Sequence, residues 1–573
     1  MAASSSGFSL PRFLLVLSLV LGSGISAASA VEPADQIDAH LAAGEFAPAL
    51  NLAKGLADGA ERDQLLARIA AQQANVGAQR ASLSTLGDVS SDLARKSALD
   101  QFTGRNRWAA GGGVQADFDP LIELITTTIS PTSWDEVGGP GSIDGFEGGV
   151  FVDSEGTLSK LVSEVDRSLA IVRSSAAVVG PSGDPRKATS LRKVSLTRLE
   201  REAQLLHALG REPDEAMQTL AGLQRIQYIL VYPETGDIVL AGPAGDWRRN
   251  TEGRLVAAES GRPLVMLDDL VVLLRNAMGE EGRFGCSITP RREGLEAAQA
   301  VNDRWAKTSL KPGQRGKWLD EMRSALGMQD ITVYGIDPRT RAARVLVEAD
   351  YHMKLVGMGL EDGVLGVESY LASIEAKPGE PLPPMDVLRW WFTLNYDSLR
   401  TTEERNAFEL RGPGVKVLSE NERLNERGER LHTGKSDELN SRFAGSFTKH
   451  FEALAAKYPV YADLRNIFDL ALVAAVIRSH ELPAQTQWHL THFGPEGDYQ
   501  PELGTAPKQV ESIINHRLLS GNRIVAGVSG GVTVDARSLA AKQAIEVDQY
   551  GLLKTEQRGS APKSLPRGAW WWD

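Results

Sequence analysis

A single cysteine, Cys286, stands among 573 residues. A lone thiol excludes an intrachain disulfide and every zinc framework built on several cysteines, so the fold must rest on packing. Positive charge is in deficit too: 62 Lys and Arg against 74 Asp and Glu give a formal net charge of −12. That balance speaks against a nonspecific nucleic-acid binder, which needs clustered cations. Long apolar runs are also missing. Phe13 to Leu21 and Ile467 to Ile477 both fall short of the roughly 20 residues of a spanning helix, and Asp469 interrupts the second. No integral membrane segment is expected once the leader is removed.

What is present is ordinary for a folded protein, with 42% hydrophobic and 24% charged residues. The length suggests about three to four domains. Arg12, the apolar run behind it and Ala28-Ser29-Ala30 make a secretory signal over residues 1–30. Cleavage after Ala30 would start the mature chain at Val31, in a secreted or periplasmic protein.

Residues 31–100 carry Ala and Leu at helical spacing, with a turn at Gly44-Glu45-Phe46 and a looser second unit from Ile69 to Leu86. They resemble tetratricopeptide hairpins without the Trp and Pro signature, and a plain helical bundle fits equally well. Residues 111–170 read as a small α/β module with a strand at Gly149–Asp153 and a helix from Leu158 to Leu169. Trp134 anchors its Gly-Pro-Gly turn and is a candidate contact residue. No G-x-G-x-x-G follows a strand here, so nucleotide binding is not expected. The stretch Leu121–Val152, centred on Trp134-Asp135-Glu136-Val137-Gly138-Gly139, is similar to segments of secreted planctomycete-type proteins, some of which resemble the N-terminal modules of secretins. That resemblance implies an interaction module.

A polar linker over 171–190 leads to a region, 191–376, with an internal repeat. Gly222-Leu223-Gln224-Arg225-Ile226, a strand and a turn at Pro233-Glu234-Thr235 recur as Gly327-Met328-Gln329-Asp330-Ile331, a strand and a turn at Pro338-Arg339-Thr340. The expected second strands are Ile238–Ala241 and Arg344–Val347, making two αββ copies. Residues 385–550 form an α+β domain with strands at Arg389–Thr393 and Asn406–Leu418, a helix from Leu464 to Arg478 buried on most sides, and a hairpin turning at Ser529-Gly530-Gly531. Residues 551–573 form a Pro-containing arm whose Trp570, Trp571 and Trp572 are costly to leave in water, so they should dock on the chain or on a partner. The fold class is α+β: a helical N-terminal segment, a small α/β module and a duplicated αββ-containing C-terminal region.

Four places invite chemistry. Cys286, in the alternating run Phe284–Ile288, is a nucleophile only if a base and an electropositive setting accompany it; a small buried side chain is the commoner case. His489 and His492 would share a helix face as a metal pair, with His480, Glu481 or Asp498 as a third ligand, although Gly494-Pro495 disfavours the helix. Thr433-Gly434-Lys435-Ser436 lacks the earlier glycine of a phosphate loop and reads as a solvated loop. On a strand, Glu348, Asp350 and His352 would share one face as acid, base and proton carrier, or simply as a polar face.

The segments Leu191–Asp573 together resemble a secreted planctomycete-type family of unknown function. The residues that carry this are Ile336-Asp337-Pro338, Val347 to Lys354, Gly414 to Glu422, Ser529-Gly530-Gly531-Val532 and the terminal tryptophans. The resemblance implies secretion and a shared fold and brings no activity. The expected role is noncatalytic, a protein contact in the envelope or an extracellular assembly, with a protein partner and no cofactor. The alternatives are a hydrolase of an envelope or external polymer, and a metal-binding protein.

Overall fold

The computed structural model describes residues 33–42, 45–75, 79–100, 142–146, 149–153 and 183–573, the last with breaks at 252, 307–313, 375–386, 425–429, 520–521, 542–544, 563–564 and 567. The expected signal and Trp134 lie outside the described residues, as do Leu121–Ile125 and the helix expected from Leu158 to Leu169. Two compact units divide the chain, residues 1–57 and 58–573.

In the first unit, α1 (Pro33–Ala42) and α2 (Phe46–Gly55) bury Ile37, Ala49 and Ala53. The Glu45 amide donates to the His40 carbonyl at 2.8 Å and closes the turn. The second unit begins with α3 (Ala60–Asn75) and α4 (Gln79–Gly87), joined by Ser82 Oγ to the Ala70 carbonyl and Thr85 Oγ1 to Gln73 Oε1, both at 2.7 Å. The helical N-terminal region is therefore as expected. β1 (Ser142–Phe146) and β2 (Gly149–Asp153) pair antiparallel, the second at the expected strand.

Two large sheets follow. The first has the order β18 (Ile545–Val547), β11 (Ser398–Thr401), β12 (Ala407–Arg411), β4 (Tyr228–Tyr232), β5 (Asp237–Ala244), β3 (Thr189–Ser195), β19 (Trp571–Trp572). The second runs β14 (Arg430–Leu431), β13 (Gly414–Leu424), β10 (Val387–Asn395), β17 (Asn522–Asp535), β8 (Arg283–Pro290), β9 (Met328–Tyr334), β15 (Gln509–Glu511), with β16 (Ile514–Leu519) also on β17. β6 (Trp247–Arg249) and β7 (Leu255–Ala257) make a separate hairpin. Strands of 191–376, 385–550 and 551–573 interleave in the first sheet, so this part folds as one body rather than along the expected boundaries.

The run Asn406–Leu418 shows how the sheets are joined. It divides at Gly412-Pro413-Gly414 into β12 in one sheet and β13 in the other, while its partner divides between β10 and β11. Gly412 has φ +120°, and a Cβ there would come within 2.8 Å of the Asp397 amide. Only glycine lets the pair change sheets at this corner.

The helices fill the space around them: α5 (Leu196–Ala208), α6 (Glu215–Gln218), α7 (Leu267–Met278), α8 (Arg292–Ala306), α9 (Arg315–Leu326), α10 (Arg341–Gly357), α11 (Tyr370–Ser373), α12 (Glu438–Lys449), α13 (Phe451–Lys457), α14 (Pro459–Ser479), α15 (Leu482–Thr486), α16 (Ala536–Ala540) and α17 (Leu552–Gly559). Every residue of α14 from Val460 to Ile477 is buried, against α7, α10, α13 and β13 among others. Asp469, the residue that interrupts its apolar run, accepts from Tyr396 Oη at 2.6 Å and Arg225 Nε at 3.3 Å. No described helix is long and apolar enough to cross a membrane.

The internal repeat does not hold. The first copy folds as α6, β4, turn, β5. In the second, α9 and β9 match, but after Thr340 the chain enters α10 instead of a strand. Thr340 Oγ1 accepts the Ala343 amide as an N-cap, and Ala342, Val345, Leu346, Ala349, Met353 and Val356 bury one helical face. Period 3.6 overrides the short alternation read at Arg344–Val347. Ser529-Gly530-Gly531 is likewise no turn: it lies inside β17, and the hairpin closes between β16 and β17. Its glycines answer a close approach, because a Cβ on Gly530 would sit 1.8 Å from the Trp390 carbonyl oxygen and 3.1 Å from Asp350 Oδ1.

The C-terminal arm docks within the chain. β19 pairs with β3, the Ser195 amide donates to the Trp570 carbonyl at 2.8 Å, and all three tryptophans are buried. Arg192 stacks over Trp571 at 4.4 Å and pairs with Asp573 at 2.5 Å.

Candidate functional site

The helix α10 takes apart the proposed acid, base and proton carrier. Four residues apart on a helix, Glu348 and His352 share a face, while Asp350 points to the other side. Glu348 pairs with Arg254 at 3.1 Å at the surface. His352 Nδ1 meets Tyr461 Oη at 2.7 Å, its ring 4.2 Å from that of Tyr458, and burial lowers its pKa. The shared strand face expected for the three is corrected: they lie on a helix, with Asp350 turned away from the other two.

Asp350 instead turns inward, fully buried, and its Oδ2 lies 2.5 Å from the equally buried Lys354 Nζ one turn on. Cys286 lies on β8, as its alternating run predicts, and packs into the same core. Burial, with Asp350 adding to it, pushes the thiol far up, so it carries no thiolate at ordinary pH. A nucleophile needs the opposite setting. Asp350 is itself raised by burial, against the pull of Lys354.

The segment holding His489 and His492 is not a helix but irregular turns after α15, with Gln487 and Leu490 both at φ +53°. Glu200 on α5 organises it. Its carboxylate accepts the amides of His492 at 2.8 Å and Phe493 at 2.6 Å and the indole N–H of Trp488. Burial raises Glu200 to about 7 in spite of those three donors. His489 is exposed, with its amide directed to Asp92 at 3.3 Å. His480 packs on Phe408 at 4.7 Å. Of the pair His489 and His492, only His492 turns inward, 1% exposed, and its ring meets His207 from the last turn of α5 at 5.3 Å. Asp498, one of the third ligands foreseen, is bound by Lys96 at 2.9 Å, which against its partial burial holds its carboxyl below the ordinary range. The sequence signal for His207 was its place seven residues after Glu200, on the same helix face.

Among the described residues one group brings three metal-type ligand atoms within 4.8 Å of one another: Glu420, Glu422 and His432. The two glutamates alternate on β13 and so share a face. His432 Nδ1 lies 3.4 Å from Glu420 and 3.1 Å from Glu422. Gly434, in the loop that resembled a phosphate loop, donates its amide to Glu420 at 2.7 Å, and Ser529 Oγ donates to Glu422 at 3.2 Å. Arg389, opposite Glu420 on β10, reaches it at 3.2 Å. Burial raises the Glu420 pKa, but the Gly434 amide and Arg389 outweigh it and hold the group low. Arg389 already supplies a cation here, and the arrangement is an ion-pair network.

The surface at β18 has another character. Val547 is 47%, Tyr550 83% and Leu552 65% exposed. Their turn is fixed, because the Asp548 amide donates to the Thr401 carbonyl at 2.7 Å and its carboxylate accepts the Tyr550 and Leu553 amides at 3.2 and 2.8 Å.

Residues 286–370 match a family described as a protein of unknown function (DUF1598). The matched stretch opens at Cys286 and includes most of β8, β9 and α10 with Asp350 and Lys354, which is part of the second sheet and a helix packed on it. An uncharacterised family in the C-terminal part agrees with the resemblance read there. No curated protein and no solved structure matches the chain.

Proposed function

We propose that this chain is exported and acts without catalysis, as a protein-contact component of an envelope or extracellular assembly, through the rim formed by β18 and the turn before α17. The carrying observation is Tyr550. A large aromatic held in solvent on a turn fixed by three hydrogen bonds loses little entropy on binding, and aromatic anchors of this kind dominate interfaces. β18 is an edge strand whose outer side is open among the described residues, which suits an extended segment of a partner protein added as a further strand.

A photo-crosslinking residue in place of Tyr550, in cells that produce the protein, tests this. The reading expects one discrete adduct at position 550 and none from the same probe at Glu496. Equal, diffuse labelling at both positions refutes it. Export is checked in the same cells, where the secreted protein should begin at Val31.

A further inference from the structure

Neither ring nitrogen of His492 has a hydrogen-bond partner among the described residues, although the residue is 1% exposed. Its backbone is held by Glu200, so the imidazole is placed by the scaffold and not by bonds of its own. An unpartnered buried polar group is unfavourable, and a native structure that keeps one has a reason. A neutral imidazole in that setting has a lone pair to offer a metal.

The spacing of two rings beside it suits an ion. The His207 and His492 ring centroids are 5.3 Å apart with planes at 50°. Two imidazoles on one tetrahedral ion, with metal–nitrogen bonds of about 2.0–2.1 Å, place their centroids about 5 Å apart. His207 is exposed, so the pair opens to solvent on its side. Asp498 is not within ligand reach of both rings while Lys96 holds it, and it completes the set by exchanging that half-buried lysine for the ion.

We infer that His207, His492 and Asp498 hold a first-row divalent transition metal, with water in the fourth position. Two imidazoles and one carboxylate suit zinc(II) and its neighbours and not the all-oxygen ions calcium and magnesium. As the ion enters, Asp498 leaves Lys96. His489 is not a ligand, and neither is the Glu420 network. The inference stands independently of the rim at Tyr550.

The test is titration of the mature full chain, stripped by a chelator, with zinc(II) by calorimetry and with cobalt(II) by visible absorption. One ion per chain is expected. Affinity should fall by more than about tenfold in His492→Ala and in His207→Ala, and by about tenfold in Asp498→Asn. His489→Ala and His432→Ala should bind as the parent does. If His492→Ala does not fold, His207→Ala decides the question, since that side chain is exposed and circular dichroism can show its fold intact. Absence of stoichiometric binding overturns the inference, as does binding that His207→Ala leaves unchanged.

Discussion

Removing residues 570–573 tests whether the arm is part of the fold. Trp570, Trp571 and Trp572 are 6%, 2% and 8% exposed, and burying three such side chains contributes about 5–9 kcal/mol. Ordering four residues opposes this by about 4–8 kcal/mol. Arg192 tips the balance. Its side chain is fully buried, stacks on Trp571 and pairs with Asp573, and a desolvated stacked cation adds about 2 kcal/mol. The carbonyls of Pro185, Ala221 and Lys187 still hold Arg192 after the deletion, so its loss is partial. The net expectation is a destabilisation of about 3 kcal/mol. Urea unfolding followed by circular dichroism should show a lower midpoint at an unchanged slope, and the parent's arm should resist limited proteolysis. An unchanged midpoint, or a tail clipped from the native parent, would refute the docking argument.

Two other consequences follow from buried charge. Lys354→Met strands the Asp350 carboxylate and should cost about 3–5 kcal/mol, whereas Asp350→Leu combined with Lys354→Met should be near neutral, as replaced buried pairs are; a double variant as unstable as the single would show that the pair does more than neutralise itself. Asp269, which shares Arg341 with Asp463, is raised by burial to about 7 from 3.8 despite Arg341. Between those values the folded chain keeps a proton that the unfolded chain has released, so stability falls as pH rises from about 4 to 7. Asp269→Asn should flatten that part of the stability profile, and a slope equal to the parent's would count against the assignment.

What the sequence disclosed was local. Alternation marked β8, β10, β12 and β13, and the apolar run marked α14, because burial on one face or on all faces writes itself into neighbouring residues. The arm was readable from the cost of three tryptophans in water. Its destination was not, since nothing local names β3 as a partner. Arg344–Val347 misled because four residues can alternate by chance, while the helical period of α10 shows only over its whole length. Ser529-Gly530-Gly531 misled because glycine marks both turns and close backbone approach, and the neighbours approaching it come from β10 and α10. His489 and His492 drew attention by spacing, but which of them turns inward depends on Glu200, nearly three hundred positions earlier in the chain.

That dependence makes α5 the element through which the separate observations connect. Ser195 caps it, accepting the Arg198 amide, donates its hydroxyl to Asp237 at 2.6 Å, and takes the Trp570 carbonyl through its own amide. One turn on, Glu200 holds the loop of His492, and Gln204 accepts Arg95 at 3.1 Å, which docks the helical residues 92–100 carrying Lys96. At its end stands His207. One helix therefore fixes the arm at its start and, along a single face, the imidazole, the carboxylate loop and the lysine of the inferred metal site. The rim at Tyr550 belongs to the opposite edge of the same sheet, six strands from β19. A substitution at the rim thus shares no partner with α5, and its effect on binding should be separable from any effect on the metal site.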